Sequence, residues 1–274
     1  MASSQRHANI TRMPSGHNSA EGDSVTRRPA PPADRAGVDG YDSIAEAYAA
    51  ENETNLVNAY YERPAMLALA GNVAGRRILD AGCGAGLLLE ALRDRGATVT
   101  GFDKSRGMLR LARRRLGGDA NLQVADLDGP LPFRDDTFDD VTASLVLHYL
   151  QDWGPALAEL RRVLKPGGRL IVSVDHPFAV HLMYREGGRK AGGNADYFET
   201  SNRTEVWTMD GQTAVMSFWD RPLHAMTDAF TAAGFRIAVI SEPEPAAAAR
   251  ELFPEEIAAT PRFLGFLFFV LQAF

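Results

Sequence analysis

Among 274 residues there is one cysteine, Cys83, which excludes an intramolecular disulfide and any metal or redox site built from several thiolates. A reducing, cytoplasmic setting is the expectation, with no metal. Long apolar runs are also missing. The stretch from Gly265 to Phe274 is almost wholly apolar, but a helix needs about twenty such residues to cross a bilayer, so a buried strand is expected there and no membrane partner. Positive charge is scarce: the formal net charge of -6 leaves no footprint for phosphate backbones, which argues against nucleic acid as a partner. Residues 1–37 carry no apolar stretch of the kind a signal peptide needs, and Ser, Pro, Arg and Gly dominate them. A disordered tail is predicted there, followed by one domain over residues 38–274.

What the chain does have is alternation. Apolar residues at Tyr41, Ile44, Ala45 and Tyr48 share one helical face, and a second helical stretch runs from about Asn55 to Leu69 with a break expected near Pro64. Strands are then predicted at Arg77–Ala81, Ala97–Phe102, Leu122–Val124, about Asp140–Leu147 and Arg169–Val174. Helices between them are predicted at Leu87–Arg95, Arg106–Leu116 and Pro155–Leu164. Such alternation implies βαβ units and a mainly parallel sheet. It is interrupted after His176, where two extended stretches, Tyr197–Thr208 and Gln212–Asp220, flank a Met209-Asp210-Gly211 hairpin signal. A helix at Pro222–Ala233 and strands at Phe235–Ser241 and Phe263–Leu271 complete the pattern.

The loop after the first strand reads Asp80-Ala81-Gly82-Cys83-Gly84-Ala85-Gly86. Glycines let the backbone turn sharply and let a ligand lie against it. A dinucleotide fingerprint, G-x-G-x-x-G, would need glycine where Leu87 stands, and Asp80 is a poor neighbour for two phosphates. A ligand with an ammonium and a carboxylate at one end, such as S-adenosylmethionine (SAM), suits this loop better. Asp103, ending the second strand, can accept from ribose hydroxyls, and Asp126 with Leu127 can meet an adenine. The plainer readings are a tight turn for the glycines, a helix cap for Asp103 and a turn residue for Asp126.

Taken in order, I-L-D-A-G-C-G-A-G, G-F-D-K-S, A-D-L and L-K-P-G-G-R-L resemble the class I SAM-dependent methyltransferases, in particular the small-molecule branch that includes quinone-biosynthesis enzymes. The resemblance covers about residues 41–176. It implies an α/β, Rossmann-like fold: a mainly parallel seven-stranded sheet, helices on both faces, and a small β-rich cap inserted before the last helix. It further implies that Asp80, Ala81, Gly82, Cys83 and Gly84 serve the methionine end of SAM and that Asp103 and Lys104 lie at the ribose. Met108 and Leu127 would flank the adenine, Asp126 would bond it, Ser144 would lie near the methionine, and Tyr41 and Tyr48 would fold over the cofactor.

His148 and His176 follow the fourth and fifth predicted strands, whose carboxyl ends face the ligand crevice in parallel sheets. Each is a candidate general base or a structural histidine. Residues 176–220 form a candidate substrate cap, with Trp207, Trp219, Tyr184 and His224 as candidate acceptor contacts and Met183 and Met216 as adaptable walls. Packing among the aromatic residues is the alternative. The acceptor is expected to be a small, apolar or aromatic metabolite, methylated on O, N or C, and a homodimer stays open. The Asn/Asp-Pro-Pro-aromatic motif of nucleic-acid amino methylation is absent after the fourth strand, a single cysteine argues against arsenite methylation, and Asp175 alone does not make a catechol-type metal set. A SAM-binding protein without transfer, or an NAD(P)-dependent oxidoreductase, are the competing functions.

Overall fold

The computed structural model describes residues 36–186, 196–259 and 264–274. The expected tail therefore lies outside the described residues, except for Ala36 and Gly37, which open the first helix. That helix, α1, spans Ala36–Thr54 and is longer than the Tyr41–Tyr48 stretch the apolar spacing picked out. No break follows at Pro64. A π-helical turn, Asn58–Glu62, runs directly into α2, Arg63–Ala70. Pro64 has no N–H to offer the carbonyl of Tyr60, and that carbonyl instead accepts the amide of Ala246 at 2.6 Å.

From there the chain alternates as β1 (Arg77–Ala81), α3 (Leu87–Asp94), β2 (Thr98–Asp103), α4 (Arg106–Leu116), β3 (Leu122–Val124), β4 (Phe138–Ser144), α5 (Gly154–Val163) and β5 (Leu164–Asp175). Next come α6 (Pro177–Glu186), β6 (Ser201–Met209), β7 (Gln212–Asp220), α7 (Leu223–Ala232), β8 (Phe235–Ser241), the short helices α8 (Ala249–Leu252) and α9 (Pro254–Ala259), and β9 (Phe266–Ala273). Seven strands form one sheet in the order β3-β2-β1-β4-β5-β9-β8. Strands β1 to β5 pair in parallel, and β9 runs antiparallel to both β5 and β8. The strand order reverses between β1 and β4, the point at which open α/β sheets leave a crevice outside their carboxyl ends.

Both faces of the sheet are covered. Neighbouring residues on a strand point to opposite faces: Leu79, Val172 and Phe269 join one core with Leu157, Leu160 and Phe230, whereas Ile78, Ile171 and Phe268 join the other with Tyr61, Met66 and Leu92. At the amino ends of the strands, the fully buried Asp140 on β4 accepts from two arginines, Arg76 and Arg169, the latter through Nε and Nη2 at 2.8 Å each.

The structure departs from the expected pattern in three places. β4 ends at Ser144; Leu145 then adopts φ 48°, and a 3-10 turn, Leu147–Tyr149, carries His148. Helix α6 was not anticipated. Its first turn is tied by the ring of His176, whose Nδ1 accepts the Phe178 amide at 3.2 Å, a local device that spacing does not reveal. The hairpin does form, as a separate two-stranded sheet turning through Asp210 (φ 47°) and Gly211 (φ 75°), the positive-φ pair a two-residue type I′ turn requires. It precedes α7, with α8 and α9 still to follow. Its apolar face rests on α1: Met209, Ala214, Met216 and Phe218 enclose Ile44 together with Tyr41 and Tyr48.

Candidate functional site

The glycine loop after β1 opens a cleft of about 1140 Å³, measured out to its solvent-facing mouth, along the carboxyl ends of β1, β2 and β4. Gly82 has φ 68°, and a Cβ there would stand 2.5 Å from a Val146 methyl, so both the turn and the close approach require glycine. Asp103 locks the loop. Its Oδ2 accepts the Gly84 amide at 2.9 Å and its Oδ1 the Ser105 amide at 2.8 Å. Ser105, not Asp103, caps α4, accepting the Met108 amide at 3.0 Å. The Ser105 hydroxyl in turn donates to Asp42 of α1 at 2.5 Å, fastening the N-terminal helix beside the cleft.

Acidic groups gather on the inner wall. Asp80 is 2% exposed and accepts the Thr142 hydroxyl at 2.6 Å. Burial pushes its pKa up to about 7, with the charges of Glu62 and Asp103 acting in the same direction. Burial also raises Asp103. Glu62, at the end of the π-helical turn, receives the hydroxyls of Ser144 and Ser173 on one oxygen at 2.7 and 2.6 Å, and burial raises it too. The next residue, Arg63, lines the same cleft; its guanidinium donates to the Asn52 carbonyl at 2.6 Å, and burial lowers its pKa.

Three tyrosines form the roof. Tyr41 and Tyr149 meet hydroxyl to hydroxyl at 2.5 Å, and Tyr48 packs edge-on against Tyr41 with centroids 5.0 Å apart. From the hairpin, Trp207 stacks on Tyr48 at 5.9 Å with an interplanar angle of 10°.

Tyr41, Tyr48, Asp80, Gly82, Cys83, Gly84, Asp103, Lys104, Met108, Asp126, Leu127 and Ser144 all line this cleft. Ala81 lies beneath it in the core. Cys83 is buried, and burial pushes its thiol well up, so it is a packing residue. Asp126 is exposed at the rim, where its own carboxylate accepts the Asp128 amide at 3.1 Å. Sequence reasoning missed Glu62, Arg63, Asn58 and Tyr149. The available signal was the adjacent Glu62-Arg63 pair, with Asn58 one turn earlier, just ahead of Pro64 in a helical stretch, since π-turns concentrate at functional sites.

A second, much smaller pocket, with a volume of about 30 Å³, adjoins the same 3-10 turn: His148 lines it, whereas the next residue, Tyr149, lines the cleft. His148 is 6% exposed, and burial lowers its pKa, which leaves the ring neutral near pH 7. Asp175 Oδ2, 3.7 Å from Nδ1, and a backbone bond with Leu145 draw a proton toward the ring, against the effect of burial. Asp175 is itself held by Arg203 at 2.8 Å, and Arg203 also reaches Asp220 and covers the Phe218 ring.

The other candidates separate. His176 lines neither cavity; one ring nitrogen accepts the Phe178 amide and the other meets Glu242 at 2.7 Å. Trp219 lines the second cavity. Trp207 packs on the roof of the cleft, and His224 is exposed with its ring near Phe198. The side chains of Tyr184 and Met183 lie outside the described residues. Among the described residues no group of three or more His, Cys, Asp or Glu could hold a metal, and no helix is long and apolar enough to cross a membrane.

Comparison with known proteins bears on the fold. Residues 79–172 match the family model described as a methyltransferase domain. The chain is 42% identical over 134 residues to a demethylmenaquinone methyltransferase of Clavibacter sepedonicus, a match covering 48% of this chain and 55% of that protein. The chain thus spans about half the length of the curated relatives it matches. Among solved structures, a SAM-dependent methyltransferase from Mesorhizobium loti is 28% identical with a TM-score of 0.59, covering 76% of this chain and 96% of that one. The [4+2]-cyclase SpnF is 21% identical with a TM-score of 0.58, covering 89% and 98%. The fold is the Rossmann-like fold of class I SAM-dependent methyltransferases, and relatives of the quinone-biosynthesis type stand nearby in sequence. The cyclase shares the fold alone, so the fold by itself does not set the chemistry.

Proposed function

We propose that this chain transfers a methyl group from SAM to a small-molecule acceptor. The observation that carries the reading is the cleft at the reversal of strand order, where a glycine loop, two buried carboxyl groups, a half-buried third and a half-buried arginine converge beneath a tyrosine roof. This donor set fits a ligand end bearing one ammonium and one carboxylate, and it disfavours a pyrophosphate, which Asp80, Glu62 and Asp103 would repel. Asp80 and Glu62 would face the ammonium, with Ser144 beside them. Arg63 and the amides opening α3 would face the carboxylate. Asp103 would take the ribose hydroxyls, Met108 and Leu127 the faces of the adenine, and Asp126 its amine.

When bound, the cofactor's sulfonium supplies an electrophilic methyl group. The chain's own part is alignment and exclusion of water, which contributes roughly 7–11 kcal/mol in well-oriented reactions. Tyr41, Tyr48 and Tyr149 close the roof over the cleft. For an acceptor that starts as a hydroxyl, His148 is the group to take the proton. It is neutral through burial, and Asp175 stands 3.7 Å away to balance the charge that forms. His176, engaged at both nitrogens, positions α6 instead. The same reading treats the segment 176–220 as the acceptor's cap, the acceptor as a small apolar or aromatic metabolite, and the compartment as the cytoplasm.

Calorimetric titration with SAM and with NAD, followed by mass-spectrometric detection of S-adenosylhomocysteine across an acceptor panel, tests the proposal. SAM binding with turnover supports it. NAD binding without SAM binding overturns it, and SAM binding with no turnover on any acceptor supports a non-catalytic binding protein.

A further inference from the structure

Two deeply buried carboxyl groups leave an oxygen uncommitted on the main cleft. Glu62 is 4% exposed, and its Oε1 takes both serine hydroxyls; Asp80 commits Oδ1 to Thr142. Glu62 Oε2 and Asp80 Oδ2 accept from no group among the described residues, and both residues line the cleft. Buried oxygens are nearly always paired, so these two point to a ligand that brings donors and positive charge. The roof adds an aromatic ring. Tyr48 lines the cleft, whereas Trp207, stacked on it with an interplanar angle of 10°, does not, so Trp207 backs one face of the ring and leaves the other to a ligand. The Tyr48 hydroxyl is tied to Tyr41 and Asn52, which fixes the plane of the ring. Resting on the methyl-transfer reading above, we infer that Tyr48 holds the cofactor's sulfonium against its ring face and makes the cleft prefer SAM to the demethylated product, S-adenosylhomocysteine.

The placement follows from how the cofactor is built. Its sulfur joins the amino-acid end to the ribose, so a cleft that takes the ammonium at Glu62 and Asp80 and the ribose at Asp103 has the sulfur between them. Tyr48 is the ring of that interval, since the charges of both Glu62 and Asp103 act on its hydroxyl. A cation over a tyrosine face is attracted by the ring quadrupole, and more strongly where water is excluded. Donor and product share the ammonium and the carboxylate; only the donor carries charge on sulfur. Glu62 and Asp80 therefore act mainly on what the two ligands have in common, and Tyr48 on what separates them. Release is the consequence. When the bond from sulfur to the methyl carbon breaks, its electron pair stays on sulfur and the methyl group joins the acceptor's lone pair, so a neutral thioether is left and the hold of the ring lapses.

Calorimetry on the full chain at pH 8 measures the two ligands separately. SAM is expected to bind the parent about tenfold more tightly than S-adenosylhomocysteine. Tyr48→Leu, which removes the ring face and keeps apolar bulk, should weaken SAM by about tenfold and leave S-adenosylhomocysteine near its parent affinity. Tyr48→Phe keeps the ring without the hydroxyl and should keep the preference. Glu62→Gln can still accept from both serines through its amide oxygen and should weaken both ligands together. Melting temperatures show whether each variant folds, and Tyr48→Met takes the place of Tyr48→Leu if that one does not. Equal or tighter binding of S-adenosylhomocysteine by the parent, equal losses of both ligands in the folded ring-less variant, or a loss confined to SAM in Glu62→Gln overturns the inference. A parent that binds neither ligand overturns the methyltransferase reading instead.

Discussion

The two ends of the central sheet treat buried charge in opposite ways. At the amino end, Asp140 is wholly buried and grips Arg76 and Arg169, so its charge is matched on both oxygens. At the carboxyl end, on the neighbouring strand, Asp80 is almost as deeply buried but accepts from the neutral hydroxyl of Thr142, and burial drives its pKa to about 7. Paired charge holds strands together; charge left unpaired in a protein interior is held ready for a ligand. The contrast predicts that damage at one end shows as lost stability and at the other as lost binding.

The largest effect is expected at the amino end. Asp140→Ala strands two partly buried guanidinium groups and should cost about 3–5 kcal/mol of unfolding free energy, read from chemical denaturation, while the folded fraction keeps its SAM affinity. Next comes Asp103→Ala. It should weaken SAM binding by about 1.5–3 kcal/mol in a calorimetric titration, the scale of hydrogen bonds to a charged group, with little change in fold. Unchanged affinity in a folded variant would remove Asp103 from the ribose site.

A pH series sharpens the comparison further. Because folding raises Asp80 from 3.8 to about 7, the unfolded chain ionises first as pH rises. The folded state then holds the extra proton, so this group's stabilising contribution is complete below about pH 4 and fades as pH rises toward 7. Cofactor binding runs the other way, since an ammonium prefers the ionised carboxylate. SAM affinity should be roughly tenfold weaker at pH 6 than at pH 8, and Asp80→Asn should flatten the profile. The smallest effect belongs to Trp207→Ala. Since Trp207 stacks on Tyr48 above the cleft, it should cost about 0.5–1.5 kcal/mol in SAM binding rather than acting on the acceptor, a split read from the two Michaelis constants.

Much of the parallel half of the sheet was legible because β1, β2 and β5 are short apolar runs closed by glycine, proline or a helix start, whereas β4, followed by Leu145-Val146-Leu147, ends earlier than its apolar run suggests. The predicted span of α4, Arg106–Leu116, coincides with the observed one. The Asp210-Gly211 turn was legible through its backbone chemistry. What stayed hidden depended on distant partners. Glu62 becomes a cleft residue because a π-turn, with its free carbonyl taken by Ala246, rotates it toward Ser144 and Ser173. His148 and His176 look alike in sequence, each placed after a strand. The 3-10 turn at Leu147–Tyr149 sends one to a cavity, whereas Glu242, far along the chain, claims the other.

The antiparallel strand β9 gives the fold a timetable. Phe266 is the register partner of Asp175, and every residue from Arg169 to Asp175 pairs with a residue of β9. At about 5–20 residues per second, a ribosome needs roughly 5–20 s to travel from one to the other. Through that interval the nascent domain has all its parallel strands but an open, apolar edge on β5, the kind of surface that templates pairing with other chains. The growing polypeptide is therefore most exposed to misassembly after β5 is made and before β9 arrives, which is when a chaperone would be of most use to it.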